Sequence, residues 1–125
     1  MGSIKKDKTI ARLKNTHLVK RDGVYINFLL EEENTSKSEP EYDVMVAIRV
    51  SKSCGNAVKR NKIKRWVREA LRAWIAETEI EKRLFLLINI GIKDRETDFR
   101  EIKGIIYDLL GQIFKERGSE YYKTL

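Results

Sequence analysis

The fold of this chain is decided by residues 44–76, VMVAIRVSKSCGNAVKRNKIKRWVREALRAWIA. The run of β-branched and other apolar residues over Val44–Val50 predicts a strand. A turn at Gly55 follows, and Asn56 is a suitable N-cap because its side-chain oxygen can accept an N–H of the first helical turn. An apolar stripe at helical spacing then predicts one helix that ends near Ala76. The stripe consists of Ile63, Val67, Ala70, Leu71 and Trp74.

Positive charge is concentrated in the same stretch. Between Arg49 and Arg72 there are nine Lys or Arg residues and one acid, Glu69, so this segment carries +8 while the whole chain carries +7. A charge excess confined to one element is typical of a surface that binds a polyanion. The alternative is a solvated helix face, but such faces usually mix both signs. At 100° per residue, one arc of the helix away from the apolar stripe holds Asn61, Lys64, Arg65, Arg68 and Arg72.

Length and composition limit the classes of protein to consider. With 125 residues and 42% hydrophobic content, the chain suits one compact domain. No stretch approaches the roughly 20 apolar residues of a membrane span, and the N-terminal MGSIKKDK lacks the apolar run of a secretion signal. A single cysteine, Cys54, excludes an intramolecular disulfide and suits the cytoplasm. Together with the one histidine, His17, it is insufficient for a structural zinc site.

The remaining elements follow from periodicity and turn residues. They are a short helix near Asp7–Asn15, a strand at Val24–Leu30, an exposed loop over Glu31–Tyr42 between two antiparallel strands, a buried strand at Leu84–Ile90, and an amphipathic helix that begins after Asp98. The predicted class is α+β, in the order α-β-β-α-β-α, with a mixed sheet of three or four strands covered on one side by helices. Residues 1–3 are typical of a cloning remnant and receive no role, and residues 118–125 are expected to fray.

A nuclease site is the sharpest catalytic alternative. Asp94, Glu96 and Asp98 lie close together in the sequence, and two-metal hydrolysis requires clustered carboxylates. The favoured interpretation is that these acids decorate a loop and support a helix N-terminus through its dipole. His17 has no evident partner for acid–base chemistry, and Cys54 has neither a base nor a resolving cysteine. We therefore assign neither a catalytic residue nor a metal site to the protein.

Residues 51–69, SKSCGNAVKRNKIKRWVRE, resemble the signature of the bacterial ribonuclease P protein subunit, approximately S-K-K-x-G-x-A-V-x-R-N-R-x-K-R-x-x-R-E. The match extends over eleven fixed positions in nineteen residues, which makes it specific, and the similarity in length and element order covers residues 4–117. Ser53 and Lys62 depart from the pattern, where the family has Lys and Arg. The eleven positions are Ser51, Lys52, Gly55, Ala57, Val58, Arg60, Asn61, Lys64, Arg65, Arg68 and Glu69.

The resemblance implies a protein subunit that assists a catalytic RNA in removing the 5′ leader from precursor tRNA. The RNA subunit, with bound Mg²⁺, would perform the hydrolysis, and the protein would bind it as a monomer in a 1:1 complex. The resemblance also implies a left-handed β-α-β crossover, as in ribosomal protein S5 domain 2-like folds, although right-handed crossovers are the general rule. The alternative is an RNA-binding module of ribosomal or RNA-chaperone type without a role in tRNA processing.

Two sets of contact residues are predicted. The set for the RNA subunit is Lys52, Asn56, Arg60, Asn61, Lys62, Lys64, Arg65, Arg68 and Arg72, whereas Glu69 is expected to orient neighbouring arginines. For the leader, the resemblance points to Ile10 and Lys14, at positions where the family typically has Phe, and to Phe28 as a stacking platform for a base. A core position is the equal alternative for Phe28.

Overall fold

The computed structural model describes residues 1–31, 44–80, 83–93, 96–117 and 122–124. These residues form seven strands and three α-helices. In chain order the elements are β1 Gly2–Ser3, α1 Asp7–Leu13, β2 His17–Arg21, β3 Val24–Glu31, β4 Val44–Val50, a 3₁₀ turn Lys52–Cys54, α2 Ala57–Ala76, β5 Thr78–Ile80, β6 Arg83–Ile90, α3 Phe99–Arg117 and β7 Tyr122–Thr124. In the described part of the chain, no helix has the length and apolar character needed to cross a membrane.

The main sheet is mixed and has five strands in the order β1-β4-β6-β3-β2. The α+β class is confirmed, but the predicted strand number of three or four is wrong, because β1 and β2 also belong to the sheet. The central strand β6 is parallel to β4 and antiparallel to β3. The strands β3 and β4 therefore run antiparallel, as predicted, but β6 lies between them. Residues 32–43, most of the predicted loop, lie outside the described residues.

Strand β2 joins β3 through a tight two-residue turn. Asp22 and Gly23 both have positive φ, 49° and 83°, which is the conformation of a type I′ hairpin turn. The backbone N–H of Gly91 donates to the carbonyl of Gly23 at 2.7 Å, and a Cβ on Gly23 would lie 3.3 Å from the backbone of Gly91. The turn is thus packed closely against the end of β6.

The main core lies between one face of the sheet and the helices α2 and α3. All five residues of the predicted stripe on α2 are buried. They pack with inward-facing residues of β6, such as Leu86 and Ile88, and with the buried face of α3. Trp74 stacks on Phe114 of α3 with ring centroids 5.2 Å apart. The predicted bounds of α2 and the core role of Trp74 are confirmed.

Helix α1 lies on the opposite face of the sheet and contacts β3 and β6. Its Leu13 is fully buried, as is Leu87, which alternates with the core-facing Leu86 and Ile88. The side-chain amide of Asn27 donates to the carbonyl of Thr16, just after α1, at 3.5 Å. The prediction that helices cover only one side of the sheet is therefore wrong.

Both ends of the chain take part in pairing. Gly2 and Ser3, which the sequence left without a role, pair in parallel with Met45 and Val46 of β4. Within the tail, β7 pairs antiparallel with β5 in a separate two-stranded sheet. The helix α2 joins the parallel neighbours β4 and β6, so this unit is the β-α-β crossover; its handedness stays a prediction.

Candidate nucleic-acid interface

The turn between β4 and α2 fixes the direction of the basic helix. The carbonyl of Ile90, at the end of β6, accepts from the N–H of Ser51 at 2.9 Å and from the thiol of Cys54 at 3.4 Å. Cys54 is buried and packs as a small residue in this turn. Gly55 has φ 126° and ψ −164°, a conformation that essentially only glycine adopts. The turn therefore links the start of α2 rigidly to the central strand.

Asn56 caps the N-terminus of α2. Its side-chain oxygen Oδ1 accepts from the backbone N–H of Lys59 at 2.9 Å, as expected for an N-cap. The predicted capping role is confirmed. This oxygen already accepts from the helix, whereas the Nδ2 amide of the exposed side chain is placed to donate hydrogen bonds to RNA.

The predicted cationic arc of α2 is present on the surface. Four of its five residues are exposed, and the fifth, Lys64, is half-buried. Arg65 Nε lies 3.9 Å from Glu69 Oε1 with both side chains largely exposed, so Glu69 is placed to orient Arg65 as predicted. A contact of this length between exposed groups contributes little to stability. The exposed members of the arc are Asn61, Arg65, Arg68 and Arg72.

Arg60 differs from these residues because it lies beside the apolar stripe. It precedes Ile63 by three residues and Val67 by seven, so it falls on the buried side of the helix. Its side chain is half-buried, and its Nε finds no hydrogen-bond acceptor within the described residues. The aliphatic stem of Arg60 thus packs against protein while the far end of the guanidinium can reach outward.

Lys52 and Lys62 lie outside the arc. Lys52 is exposed in the 3₁₀ turn, next to a 2.6 Å hydrogen bond between the hydroxyls of Ser51 and Ser53. Lys62 lies on another flank of α2, with its ammonium 5.9 Å from the ring centroid of Trp66. Trp66 is half-buried. The predicted RNA-contact residues are therefore brought onto one helix and its preceding turn, but on more than one face.

The residues predicted for the leader are separated by the sheet. Ile10 on α1 is half-buried and Lys14, at the C-terminus of α1, is exposed. Phe28 is only 2% exposed, belongs to the main core on the other side of the sheet, and stacks on His17 with centroids 5.8 Å apart. A ring in this position offers no free face to a base. Of the two predicted roles of Phe28, the structure supports the core role and corrects the stacking role.

A second basic surface was not predicted. Between Lys5 and Arg21 there are seven Lys or Arg residues and one acid, Asp7, and all seven cations are exposed. Six of them lie on and around α1 and, as Lys20, on β2, and α1 lies on the sheet face away from α2. The seventh, Arg21, has the parity of the core-facing Val19 and lies 3.3 Å from Asp108 of α3. The total charge of the chain hides this surface, because acids elsewhere cancel its cations. A count of charge along short windows of the sequence would have found it.

A polar row crosses the open sheet on the α1 side. Strand register places Lys20 opposite Tyr25, Tyr25 opposite Asn89, and Asn89 opposite Arg49. Tyr25 is 40% exposed. The ring of Tyr25 and the flanking cations of Lys20 and Arg49 are therefore groups suited to a single strand of nucleic acid. Strand alternation could have found this row, since Tyr25 has the opposite parity to Val24, Ile26 and Phe28.

The acidic cluster of the nuclease alternative lies only partly within the described residues. No group of three or more His, Cys, Asp or Glu side chains among the described residues is arranged to hold a metal ion. Asp98 instead caps α3, with its Oδ1 accepting from the N–H of Glu101 at 2.8 Å, and Glu101 accepts from the hydroxyl of Thr97. Asp94 lies outside the described residues.

Comparisons with known proteins agree with this arrangement. The sequence model of the ribonuclease P family matches residues 3–113. The fold is similar to that of the RNase P protein of Staphylococcus aureus, with a TM-score of 0.69 and 23% identity over 89% of this chain and 94% of that one. It is also similar to the RNase P protein of Thermotoga maritima, with a TM-score of 0.61 and 21% identity over 85% and 91% of the two chains. A search of the curated proteins finds no match.

The fold and the surface together define a small α+β protein whose basic helix is presented on a mixed sheet. Since the family model covers most of the sequence, the chain belongs to the ribonuclease P protein family. Membership confirms the resemblance seen in residues 51–69. RNA binding and tRNA processing are the functions that follow from this family.

Proposed function

We propose that the protein is the RNA-binding subunit of a cytoplasmic ribonuclease P and assists its catalytic RNA in cutting the 5′ leader from precursor tRNA. The exposed cationic arc of α2 carries this proposal. Its residues lie on one ordered helix with a single acid, Glu69, among them. Each Lys or Arg that pairs with a phosphate releases condensed counterions, so binding gains entropy and weakens steeply with salt.

The leader is assigned to the α1 side of the sheet. That side carries the exposed cations around α1 and the row that contains Lys20 and Tyr25. A basic surface with one exposed ring can hold a single strand through its phosphates and stack one base with little sequence preference. Two separate basic surfaces would let one protein contact the RNA subunit and the substrate together. We therefore expect the protein to act as a monomer in a 1:1 complex.

Catalysis is assigned to the RNA subunit and its Mg²⁺. Among the described residues no group of three or more His, Cys, Asp or Glu side chains could hold a metal ion, and we assign the protein no catalytic residue. Its cations would lower the repulsion between two large polyanions. The consequence is tighter binding of the precursor and a smaller requirement for Mg²⁺.

Reconstitution tests this function. The cognate RNA subunit, at low Mg²⁺, is mixed with a leader-bearing precursor tRNA, with and without the protein. We expect the protein to increase the rate of leader removal, and we expect the protein alone to cut nothing. No increase in rate would support the alternative RNA-binding module, whereas Mg²⁺-dependent cutting by the protein alone would support the nuclease.

A further inference from the structure

A groove separates the N-terminal half of α2 from the segment that leads into α3. Its volume is about 770 Å³. The α2 wall includes Val58, Lys62 and Trp66. The opposite wall includes the carboxylates of Glu96, Asp98 and Glu101. The groove therefore has one apolar and cationic wall that faces an acidic wall. None of the residues of the cationic arc of α2 is needed to form these two walls.

The α2 wall combines a flat ring with a cation on a flexible four-carbon stem. Val58, Lys62 and Trp66 are spaced by four residues, so they form one line along the helix. Val58 is 73% exposed, which leaves its apolar surface facing water. The Lys62 ammonium already lies 5.9 Å from the Trp66 ring centroid, at the outer limit of a cation–π contact. The ring face is thus reachable from the groove, and the ammonium can turn away from it.

The acidic wall is held in place by the start of α3. Asp98 accepts from the N–H of Glu101, and Glu101 accepts from the Thr97 hydroxyl. Ionised carboxylates accept hydrogen bonds but cannot donate them. This wall therefore repels phosphate and favours donors such as the exocyclic amino group of a base, which carboxylates also accept in base recognition.

We propose that the groove receives one unpaired nucleobase with an exocyclic amino group from the RNA that α2 binds. The base would lie against Trp66, its amino group would face the acidic wall, and Lys62 would turn to the adjoining phosphate. Lys62 lies between Asn61 and Lys64 in the sequence, so the groove adjoins the cationic arc on the same helix. The inference rests on the proposed function and adds base recognition to a surface otherwise limited to phosphates.

Tryptophan fluorescence tests the stacking directly. The other tryptophan, Trp74, is buried in the core at 8% exposure, so RNA can reach only Trp66. We expect titration of the protein with the RNA subunit to quench fluorescence, and we expect that quenching to be absent in Trp66→Phe. Equal quenching in the protein and in Trp66→Phe, or no quenching while the RNA is shown to be bound, would overturn the proposal.

Binding measurements separate this inference from the proposed function. Replacing Trp66 by Leu should weaken binding of the RNA subunit about ten-fold, the usual effect of losing one stacked base, while Trp66→Phe should retain most of the affinity. If Trp66→Leu binds as tightly as the unaltered protein and still stimulates leader removal, the groove proposal fails and the proposed function stands. If the unaltered protein does not bind the RNA subunit, the proposed function fails first.

The amino-group requirement has its own test. Cytidine and uridine oligomers of about ten nucleotides have rings of the same size, but only cytosine presents an amino group at its 4-position. We expect the cytidine oligomer to quench Trp66 at a lower concentration than the uridine oligomer. If the uridine oligomer quenched Trp66 at the same or a lower concentration than the cytidine oligomer, the role of the acidic wall would be contradicted.

Discussion

Arg60 combines packing with charge, because its stem packs beside the apolar stripe while the far end of its guanidinium can reach outward. Its Nε is buried without an acceptor in the described part of the chain, and a buried unpaired donor costs about 1–3 kcal/mol. Replacing Arg60 by Met keeps an apolar stem and removes that donor. We expect urea unfolding to show unchanged or higher stability, together with weaker binding of the RNA subunit.

The matched variant is Arg68→Met, at an exposed position of the same helix. It should weaken RNA binding and leave the free energy of unfolding within about 0.5 kcal/mol, as for most surface changes. A clear loss of stability in Arg60→Met, larger than that of Arg68→Met, would show that the buried Nε is paired in solution.

Asn56 permits capping to be separated from RNA contact. Asn56→Ala removes the acceptor for the Lys59 N–H and should lower the free energy of unfolding by about 1 kcal/mol. Asn56→Asp keeps an acceptor and places a negative charge at a helix N-terminus, so stability should be retained. The same charge repels phosphate, and we expect weaker RNA binding. Retained RNA affinity in Asn56→Asp would mean that RNA does not approach this end of α2.

Phe28 and Tyr25 show that the sequence can predict which face of the sheet a single side chain occupies. The aromatic match to a family position made Phe28 a candidate stacking platform, with a core position as the equal alternative. Strand alternation is the stronger physical constraint, because Phe28 shares its parity with Val24 and Ile26 and must face the core with them. The same alternation leaves Tyr25 on the open face. Arg60 was likewise predictable as a half-buried residue from its spacing to Ile63 and Val67.

The strand–turn–helix unit depends on Gly55. At φ 126° and ψ −164°, a side chain costs on the order of 1–3 kcal/mol in backbone strain. We expect Gly55→Ala to lower the free energy of unfolding by that amount and to weaken RNA binding, since it disturbs the start of α2. Denaturant titration and RNA-binding assays measure the two effects.

Gly104 provides the control within a regular element. It is an exposed residue inside α3, and a Cβ there would meet no atom within 4 Å. Gly104→Ala should therefore stabilise the protein by about 0.5–1 kcal/mol. If Gly55→Ala were as harmless as Gly104→Ala, the turn would not be strained by a side chain and would not fix the helix.

The elements that sequence alone predicted are those with long and strong periodicity. The helices α2 and α3 and the strands β3, β4 and β6 all follow from their apolar spacing. The hairpin of β2 and β3 was missed although its Asp22-Gly23 turn is a known signal of a type I′ turn. Strands as short as β1, β5 and β7 have no periodicity to detect, since they form only when a partner strand lies beside them.

The distribution of charge over the molecule predicts two independent RNA contacts. The basic surface formed by the cations around α1 and by Lys20 of β2 lies on one side of the sheet, and α2 lies on the other. In the double variant Lys8→Gln and Lys14→Gln, both changes are on exposed residues at α1. We expect the assembled enzyme that contains this variant to bind precursor tRNA more weakly. In a separate titration, we expect the variant to bind the RNA subunit as tightly as the unaltered protein does. Loss of RNA-subunit binding instead would place the catalytic RNA on the α1 side.

The net charge alone could not predict this division. The +8 of residues 49–72 accounts for the total of +7, so the remainder of the chain looks nearly neutral. Its acids, many of them in the Glu31–Tyr42 segment, mask the cations between Lys5 and Arg21. Strand order and the sheet face that α1 covers decide which of these charges share a surface. Composition determines neither of them.

The salt dependence of RNA-subunit binding tests the cationic arc most directly. Affinity is measured from low to high salt for the protein, for Arg65→Gln and Arg68→Gln, and for Arg100→Gln, an exposed control at the start of α3. We expect the slope of log K against log salt to fall by about one for each arc variant, as for one lost phosphate contact, and to be unchanged for the control. Unchanged slopes in both arc variants would show that α2 does not face the catalytic RNA.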